Sequence, residues 1–210
     1  MTASVPKHVI DNAIARGQGR SATGAQLEPM TLEFLFPPDV AIVIEVETDS
    51  KNRSLQDLRS VVKKGGGIVG STAFYFTRRG RAVFSSTPKE EKTIPSLSDL
   101  LEEAIEYEGA EDVEELPGGD YVVWTEPNML MAVTQGLAKK FDLEILESDI
   151  VWAPNEDTMV GIESEELIET LDNTFAGLRD HTEVKGLYAN MRQGSMTDDQ
   201  WERLARHLDL

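Results

Sequence analysis

Apolar positions near the start of this chain follow the pattern of a sheet. Residues 31–36 and 40–48 are rich in apolar side chains, which predicts two strands. The second segment is almost continuously apolar, as expected of a central strand that is buried on both faces. Pro37-Pro38-Asp39 predicts the turn that joins them, because proline and aspartate both favour turn backbone.

Apolar spacing then changes to that of a helix. Ser54 is predicted to cap this helix, with Asp57 adding favourable negative charge to its first turn. The glycines at 65–67 are predicted to end it. Its buried face is expected to contain Leu55, Leu58, Val61 and Val62. The next two strands, 73–77 and 81–85, are predicted to form a hairpin around Arg79-Gly80.

The middle of the chain alternates strands and helices in the order β-α-β-β-α-β. The first strand is at 82–85, and a break at 88–92 precedes a helix with apolar side chains from Leu97 to Ile105. A Pro-Gly-Gly-Asp turn at 117–120 separates two strands, and a second helix and a last strand at 143–152 follow. This order is the ferredoxin-like pattern.

The last part returns to a helix capped by Ser164, a strand at 183–189 and a terminal helix whose capping box is Thr197 and Gln200. We therefore predict an α/β (α+β) fold of two modules. One module is an α/β domain that comprises 25–81 plus 157–210. The other is an acidic ferredoxin-like domain, 82–156, which is inserted in the first.

The first 24 residues predict one more helix and a hinge. Ser4 is a candidate N-cap, Pro6 suits the first turn, and Gly17 suits the end. An apolar stripe runs along the helix, formed by Val9, Ile10, Ala13 and Ile14. One short helix cannot bury such a stripe alone. Either it is the last helix of an upstream helical domain, or it packs on the domain that follows.

Four motifs resemble the YebC family, which includes mitochondrial translational activators of cytochrome c oxidase subunit I. They occur in the family's order and at similar spacing over most of the chain. The four are VPKHVIDNAIARGQG at 5–19, DSKNRS at 49–54, KGGGIVGSTAFYF at 64–76 and GAEDV at 109–113. The resemblance implies the interrupted α/β domain organisation, and it implies that most of the family's N-terminal domain is missing from this sequence.

The resemblance implies a non-enzymatic factor that binds RNA or the ribosome, the mitochondrial ribosome in particular, and activates synthesis of specific proteins. The resemblance implies a mitochondrial location, although no presequence is visible in the sequence, and a cytoplasmic location is the alternative. Two other functions stay open. One is a DNA-binding transcriptional regulator, a label that many family members carry, and the other is a protein–protein adaptor acting through the acidic module.

Charge is distributed unevenly along the chain. The formal net charge is −18 over 210 residues, and residues 82–156 alone carry eighteen acidic and four basic side chains. Phosphate would be repelled by this middle segment, so contact with nucleic acid is expected from the first third. The chain has no cysteine, which excludes disulfides, thiolate zinc sites and cysteine nucleophiles. No run approaches the roughly 18 apolar residues of a membrane span.

Motifs for catalysis or cofactor binding are not found in the sequence. The three histidines, His8, His181 and His207, do not have metal-ligand spacing. The glycines at 65–70 follow a helix rather than a strand and lack the Lys-Ser/Thr of a phosphate loop, so they are better interpreted as a helix end. We therefore predict no enzyme, no metal, no cofactor and no small-molecule substrate.

Basic side chains are the better candidates for function, since arginine and lysine bind phosphate oxygens. The predicted nucleic-acid or ribosome contacts fall into three groups: Arg16 and Arg20 beside the hinge, Lys51, Arg53, Arg59, Lys63 and Lys64 on one helix and the loop before it, and Arg78, Arg79 and Arg81 at a hairpin tip. Phe74, Tyr75 and Phe76 lie beside the last group. They are either core residues or a surface on which bases stack.

Overall fold

The computed structural model describes residues 5–21, 24–86 and 95–209. Its described residues up to Phe76 and from Pro154 onwards form one compact unit, unit 1, and those of Thr77–Ala153 form a second, unit 2. The candidate cap Ser4 and the predicted break at 88–92 lie outside the described residues. The domain bounds predicted from the sequence, 82 and 156, stay a prediction.

Helices and strands alternate along the chain, which confirms the mixed α/β class. The helices are α1 (Lys7–Gly17), α2 (Lys51–Lys64), α3 (Leu97–Ala104), α4 (Leu130–Phe141), α5 (Glu165–Arg179) and α6 (Asp198–Ala205). The strands are β1 (Glu28–Phe36), β2 (Val40–Thr48), β3 (Ile68–Val69), β4 (Phe76–Phe84), β5 (Ala110–Glu115), β6 (Tyr121–Thr125), β7 (Ile145–Pro154), β8 (Val160–Gly161), β9 (Val184–Ala189) and β10 (Met191–Arg192).

Unit 1 is built on a four-stranded sheet in the order β3-β1-β2-β9. Strands β1 and β2 pair antiparallel along their whole length, with Phe36 opposite Val40 at the turn. The segment 40–44 is buried throughout, as its continuous apolar run predicted for a central strand. Strand β3 lies at the edge and pairs through two residues with β1. The predicted strands and their turn are therefore confirmed.

Helices α2 and α5 pack on each other and share one apolar core with this sheet. Leu58 of α2, Phe175 of α5 and Ile42 of β2 are all fully buried in that core. Helix α6 adds Leu204, and the predicted caps of α5 and α6 are confirmed: Ser164 accepts from the Leu167 N–H, and Thr197 forms a capping box with Gln200. Burial of this shared face supplies most of the stability of such helices.

The predicted start of α2 is wrong by four residues. The helix begins at Lys51, after Ser50 in extended backbone, so Asp57 lies beyond its first turn. Ser54 is fully buried inside the helix, where its hydroxyl lies 2.7 Å from the Thr48 hydroxyl oxygen. A buried hydroxyl needs a hydrogen-bond partner, and the end of β2 provides it. Tertiary contact thus explains this serine better than capping does.

Unit 2 has the ferredoxin-like order that the sequence predicted. Its four-stranded sheet has the order β5-β6-β4-β7, with antiparallel pairing of β4 and β5 to β6. Helices α3 and α4 cover a core in which Phe84, Leu100, Val123 and Leu137 are buried. The turn between β5 and β6 falls at the predicted Pro-Gly-Gly-Asp segment.

The hairpin predicted around Arg79-Gly80 is wrong. Residues 76–84 form the single continuous strand β4. Gly80 lies in the middle of this strand and pairs with Thr125 of β6. A Cβ on Gly80 would lie 2.3 Å from the Thr125 hydroxyl oxygen and 2.9 Å from the Leu130 Cβ. This glycine is therefore required because β6 and α4 approach β4 closely at this position. Close approach of neighbouring groups is a common reason for glycine inside a strand.

Helix α1 forms as predicted, but it buries none of its residues. Val9, Ile10 and Ile14 are each about half exposed. The alternative in which this stripe packs on the following domain is therefore wrong for the residues described. A polar contact holds the end of the helix instead, because the Arg16 guanidinium donates to the Thr182 carbonyl oxygen.

Candidate nucleic-acid interface

The arginines of β4 lie along a strand and not at a hairpin tip. The Arg79 guanidinium bonds the Glu111 carboxylate of β5 and lies over the Trp124 ring of β6, 4.7 Å from its centroid. Neighbouring strands therefore hold this cation between a carboxylate and an aromatic face, two contacts that stabilise arginine in proteins.

The other two arginines of this strand are also held by unit 2. Arg81 pairs with Glu147 at 2.5 Å, and its side chain is only 12% exposed. Arg78 lies over the Trp152 ring at 4.9 Å. The three arginines that are close together in the sequence are thus each placed by the strand beside a carboxylate or an aromatic ring. A binding role for these three arginines stays a prediction.

Two of the cations around the start of α2 are paired. Arg53 bonds Asp49 at 2.8 Å and also contacts Glu183 before β9. The hydrogen bond that Arg53 donates to Asp49 is the main reason that the pKa of Arg53 is raised, and the same bond lowers the pKa of Asp49. Lys51 pairs with Glu28 at 2.8 Å, which lowers the pKa of that carboxyl group. These pairs join α2 to neighbouring strands and leave less charge for a ligand.

The second half of α2 carries the exposed cations Arg59, Lys63 and Lys64. Within the part of the chain that the structure describes, these three form no ion pair with a carboxylate. Arg59 and Lys63 are four residues apart and share one helix face, as the sequence predicted. We call this cluster of three the α2 basic face.

A groove runs beside the α2 basic face, between this helix and the edge strand β3. Its volume is about 570 Å³. The α2 side is formed by Gln56, Arg59, Ser60 and Lys63, and the β3 side by Ile68 and Val69. The four helix positions follow the spacing of one helical face. The geometry thus combines two cations, two neutral polar side chains and exposed apolar surface.

The first basic pair, Arg16 and Arg20, lies apart in sequence from the α2 basic face. Arg16 is engaged with Thr182, as described above, and Arg20 bridges Gln26 through its backbone. The aromatic segment divides between its two alternatives: Phe76 is buried as core, whereas Phe74 is 66% exposed and lies against the Tyr75 ring. Whether Arg16, Arg20 or Phe74 contacts a ligand stays a prediction.

Sequence reasoning missed Ile68 and Val69, because the glycines before them were interpreted only as a helix end. It also missed Gln56 and Ser60, although their spacing with Arg59 and Lys63 is visible in the sequence. The pairing of Arg79 with Trp124 had no local signal, since strands β4 and β6 are joined only by the fold.

The α2 basic face offers positive charge and hydrogen-bond donors. Among the residues that the structure describes, no three His, Asp or Glu side chains converge as metal ligands would. Every helix in residues 5–21, 24–86 and 95–209 is too short or too polar to cross a lipid bilayer. Exposed arginine and lysine side chains of this kind are chemically suited to anionic groups such as phosphate.

Comparison with known proteins gives a consistent match over most of the chain. The family model described as TACO1/YebC second and third domain matches residues 27–191. A probable transcriptional regulatory protein of Bifidobacterium animalis subsp. lactis is 35% identical over 191 residues, which cover 90% of this chain and 71% of that protein. Another of that description, from Rubrobacter xylanophilus, is 39% identical over 138 residues, covering 64% of this chain and 52% of the relative.

A solved structure agrees with the fold. A conserved hypothetical protein from Aquifex aeolicus superposes with a TM-score of 0.67 at 29% identity, and the match covers 89% of this chain and 73% of that one.

Proposed function

The chain belongs to the TACO1/YebC family, and on that premise we propose that it is a non-enzymatic regulator of gene expression that binds nucleic acid. Its relatives are named as probable transcriptional regulatory proteins, so regulation of transcription is the first candidate role. The observation that supports binding is the α2 basic face: three exposed cations with no described carboxylate partner, in a chain of net charge −18.

Phosphate binding depends on the charge of the surface that contacts the ligand as well as on the net charge of the protein. A strongly acidic protein is repelled by phosphate unless cations are concentrated on one surface. Arg53 and Arg81 do not serve this purpose well, because carboxylates already neutralise them. Arg59, Lys63 and Lys64 can each bind a phosphate, and about three such contacts give weak binding that falls steeply with salt.

Activation of translation through RNA or the ribosome is the second candidate role. The net charge of −18 favours it, because an independent duplex-DNA binder usually has a basic surface over a large area. A ribosome offers basic proteins as well as RNA, so an acidic protein with one basic face can contact both. The mitochondrial location that the resemblance implies stays a prediction.

The test measures binding of fluorescent duplex DNA and RNA by anisotropy across a salt series. The unmutated chain is compared with Arg59→Glu/Lys63→Glu, and the matched control is Lys139→Glu/Lys140→Glu. The control makes the same change in net charge at exposed positions of α4 in unit 2. We expect the first variant to lose at least about tenfold in affinity at low salt and the control to lose little.

Equal losses in the two variants would mean that only net charge matters, which contradicts a site on α2. Unchanged binding in both would place the contact elsewhere. Co-sedimentation of the same variants with ribosomes separates the two candidate roles. Loss of ribosome binding in the α2 variant alone favours a role in translation. Binding of a protein partner that persists after the charge reversal favours a protein–protein adaptor.

A further inference from the structure

The groove beside α2 is chemically unlike the rest of this acidic chain. Thirty-eight side chains of the protein are Asp or Glu, yet none of them lines the groove. Arg59 and Lys63 lie along one side, and Gln56 and Ser60 of the same helix face add neutral donors and acceptors beside them. Such a lining attracts an anionic ligand and can hydrogen-bond its polar edges.

Apolar surface faces these cations from the other side. Ile68 is 53% exposed and Val69 is 58% exposed, and the two are consecutive residues of the edge strand. Buried Phe34 also lines the groove. Its volume of about 570 Å³ falls within the usual range of small-ligand sites, about 300–1,000 Å³.

A second depression continues the groove along β1. It shares Phe34 and Val69 with the first and extends to Thr31 and Ser71, with a volume of about 390 Å³. One carboxylate, Glu33, lines it. An oxygen of Glu33 accepts hydrogen bonds from the backbone N–H groups of Thr72 at 2.6 Å and Ala73 at 2.8 Å. Those two bonds fix the carboxylate against the backbone and satisfy part of its hydrogen-bonding capacity.

We propose that this groove binds single-stranded nucleic acid, with phosphates on Arg59 and Lys63 and an unpaired base against Ile68 and Val69. The proposal rests on the proposed function and specifies the form of nucleic acid bound. A duplex exposes phosphates but keeps the faces of its bases stacked inside, so the apolar side of the groove would gain nothing from it. A single strand presents both, which is how single-strand binders combine cations with base contacts.

The experiment compares three fluorescent ligands with the same number of phosphates per strand: a strand of about ten nucleotides, a matching abasic strand and a duplex of that strand. The test variant is Ile68→Ser/Val69→Ser, which removes the exposed apolar side of the groove and leaves both cations in place. The matched control is Ile145→Ser/Leu146→Ser, which removes two exposed apolar side chains from β7 in unit 2. Circular dichroism verifies that both variants retain the fold.

We expect the base-containing strand to bind about five- to tenfold more tightly than the abasic strand. Ile68→Ser/Val69→Ser should abolish that difference without changing affinity for the abasic strand or the duplex, and Ile145→Ser/Leu146→Ser should change nothing. Equal affinity for all three ligands, unaffected by Ile68→Ser/Val69→Ser but lost in Arg59→Glu/Lys63→Glu, would overturn the base contact while the proposed function stands.

Two further outcomes overturn the proposal. If no nucleic acid binds in any form, the proposed function fails together with it. A short acidic peptide with alternating apolar residues is the competing occupant, since an extended peptide can also pair with an edge strand. Peptide binding that Ile68→Ser/Val69→Ser abolishes, in the absence of oligonucleotide binding, would assign the groove to a protein partner.

Discussion

Asn190 accepts a hydrogen bond from the backbone N–H of Ala41 at 2.8 Å through its side-chain oxygen. Its amide nitrogen donates to the carbonyl oxygens of Thr158, at 2.8 Å, and Asp39, at 3.2 Å. The side chain is fully buried, and it joins the β1–β2 turn, the segment before β8 and the end of β9. One amide therefore satisfies three backbone groups from distant parts of unit 1.

Asn190→Ala should destabilise unit 1 by about 2–4 kcal/mol, because it leaves one buried N–H and two carbonyl groups without their partner. Urea unfolding followed by tryptophan fluorescence measures the loss. Trp201 packs on the core of unit 1, so Trp124 and Trp152 are replaced by Phe to make the signal specific. The control is Asn173→Ala on the exposed side of α5, expected to change stability by less than about 0.5 kcal/mol. Similar values for the two would contradict a structural role for Asn190.

Gly80→Ala should destabilise unit 2 by about 1–3 kcal/mol, because the added methyl group overlaps the Thr125 hydroxyl and Leu130. The readout is urea unfolding with Trp201 replaced by Phe, which leaves the two tryptophans of unit 2. Gly118→Ala is the matched control, since a Cβ there meets nothing within 4 Å. Were Gly80 simply part of a turn, as its sequence context suggested, the two substitutions would have similar effects.

Asp49→Asn should change how stability depends on acid. Hydrogen bonds from Arg53, and then from Ser21, lower the pKa of Asp49 below its usual 3.8 in the folded state. A carboxyl group with a lowered folded pKa contributes stability above its unfolded pKa and loses it as the pH falls through the folded value. The unmutated chain should therefore have the higher Tm at about pH 6, and the difference should vanish well below about pH 4.

Thermal unfolding across that pH range checks this expectation. The control is Asp57→Asn, which removes an exposed carboxylate of α2 that has no described ion pair. Its Tm difference from the unmutated chain should be small at every pH. A constant Tm offset for Asp49→Asn down to the lowest pH would show that its charge is not the cause.

Local patterns in the sequence determined most of the elements of this protein. The continuous apolar run of β2, the helical spacing of α2 and α5, the cap of α5 and the capping box of α6 each depend on residues within one turn or one strand. These signals involve residues that are close in sequence, so they can be recognised without knowledge of the fold. The order of strands and helices in residues 82–156 was enough to predict the ferredoxin-like arrangement.

Tertiary structure decided which charged and polar residues are available. Arg79 and Glu111 are 32 residues apart in sequence, and Arg53 and Glu183 are 130 apart, so no local pattern predicts either pair. Ser54 and Gly80 were assigned to a cap and a turn because each type favours those positions locally, yet contacts with Thr48 and Thr125 determine both. The basic residues of this sequence formed one candidate set, and pairing across the fold left the α2 basic face as an exposed part of it without a described carboxylate partner. The physical reason is that a charge's partners are set by distance in space, which only the packed chain defines.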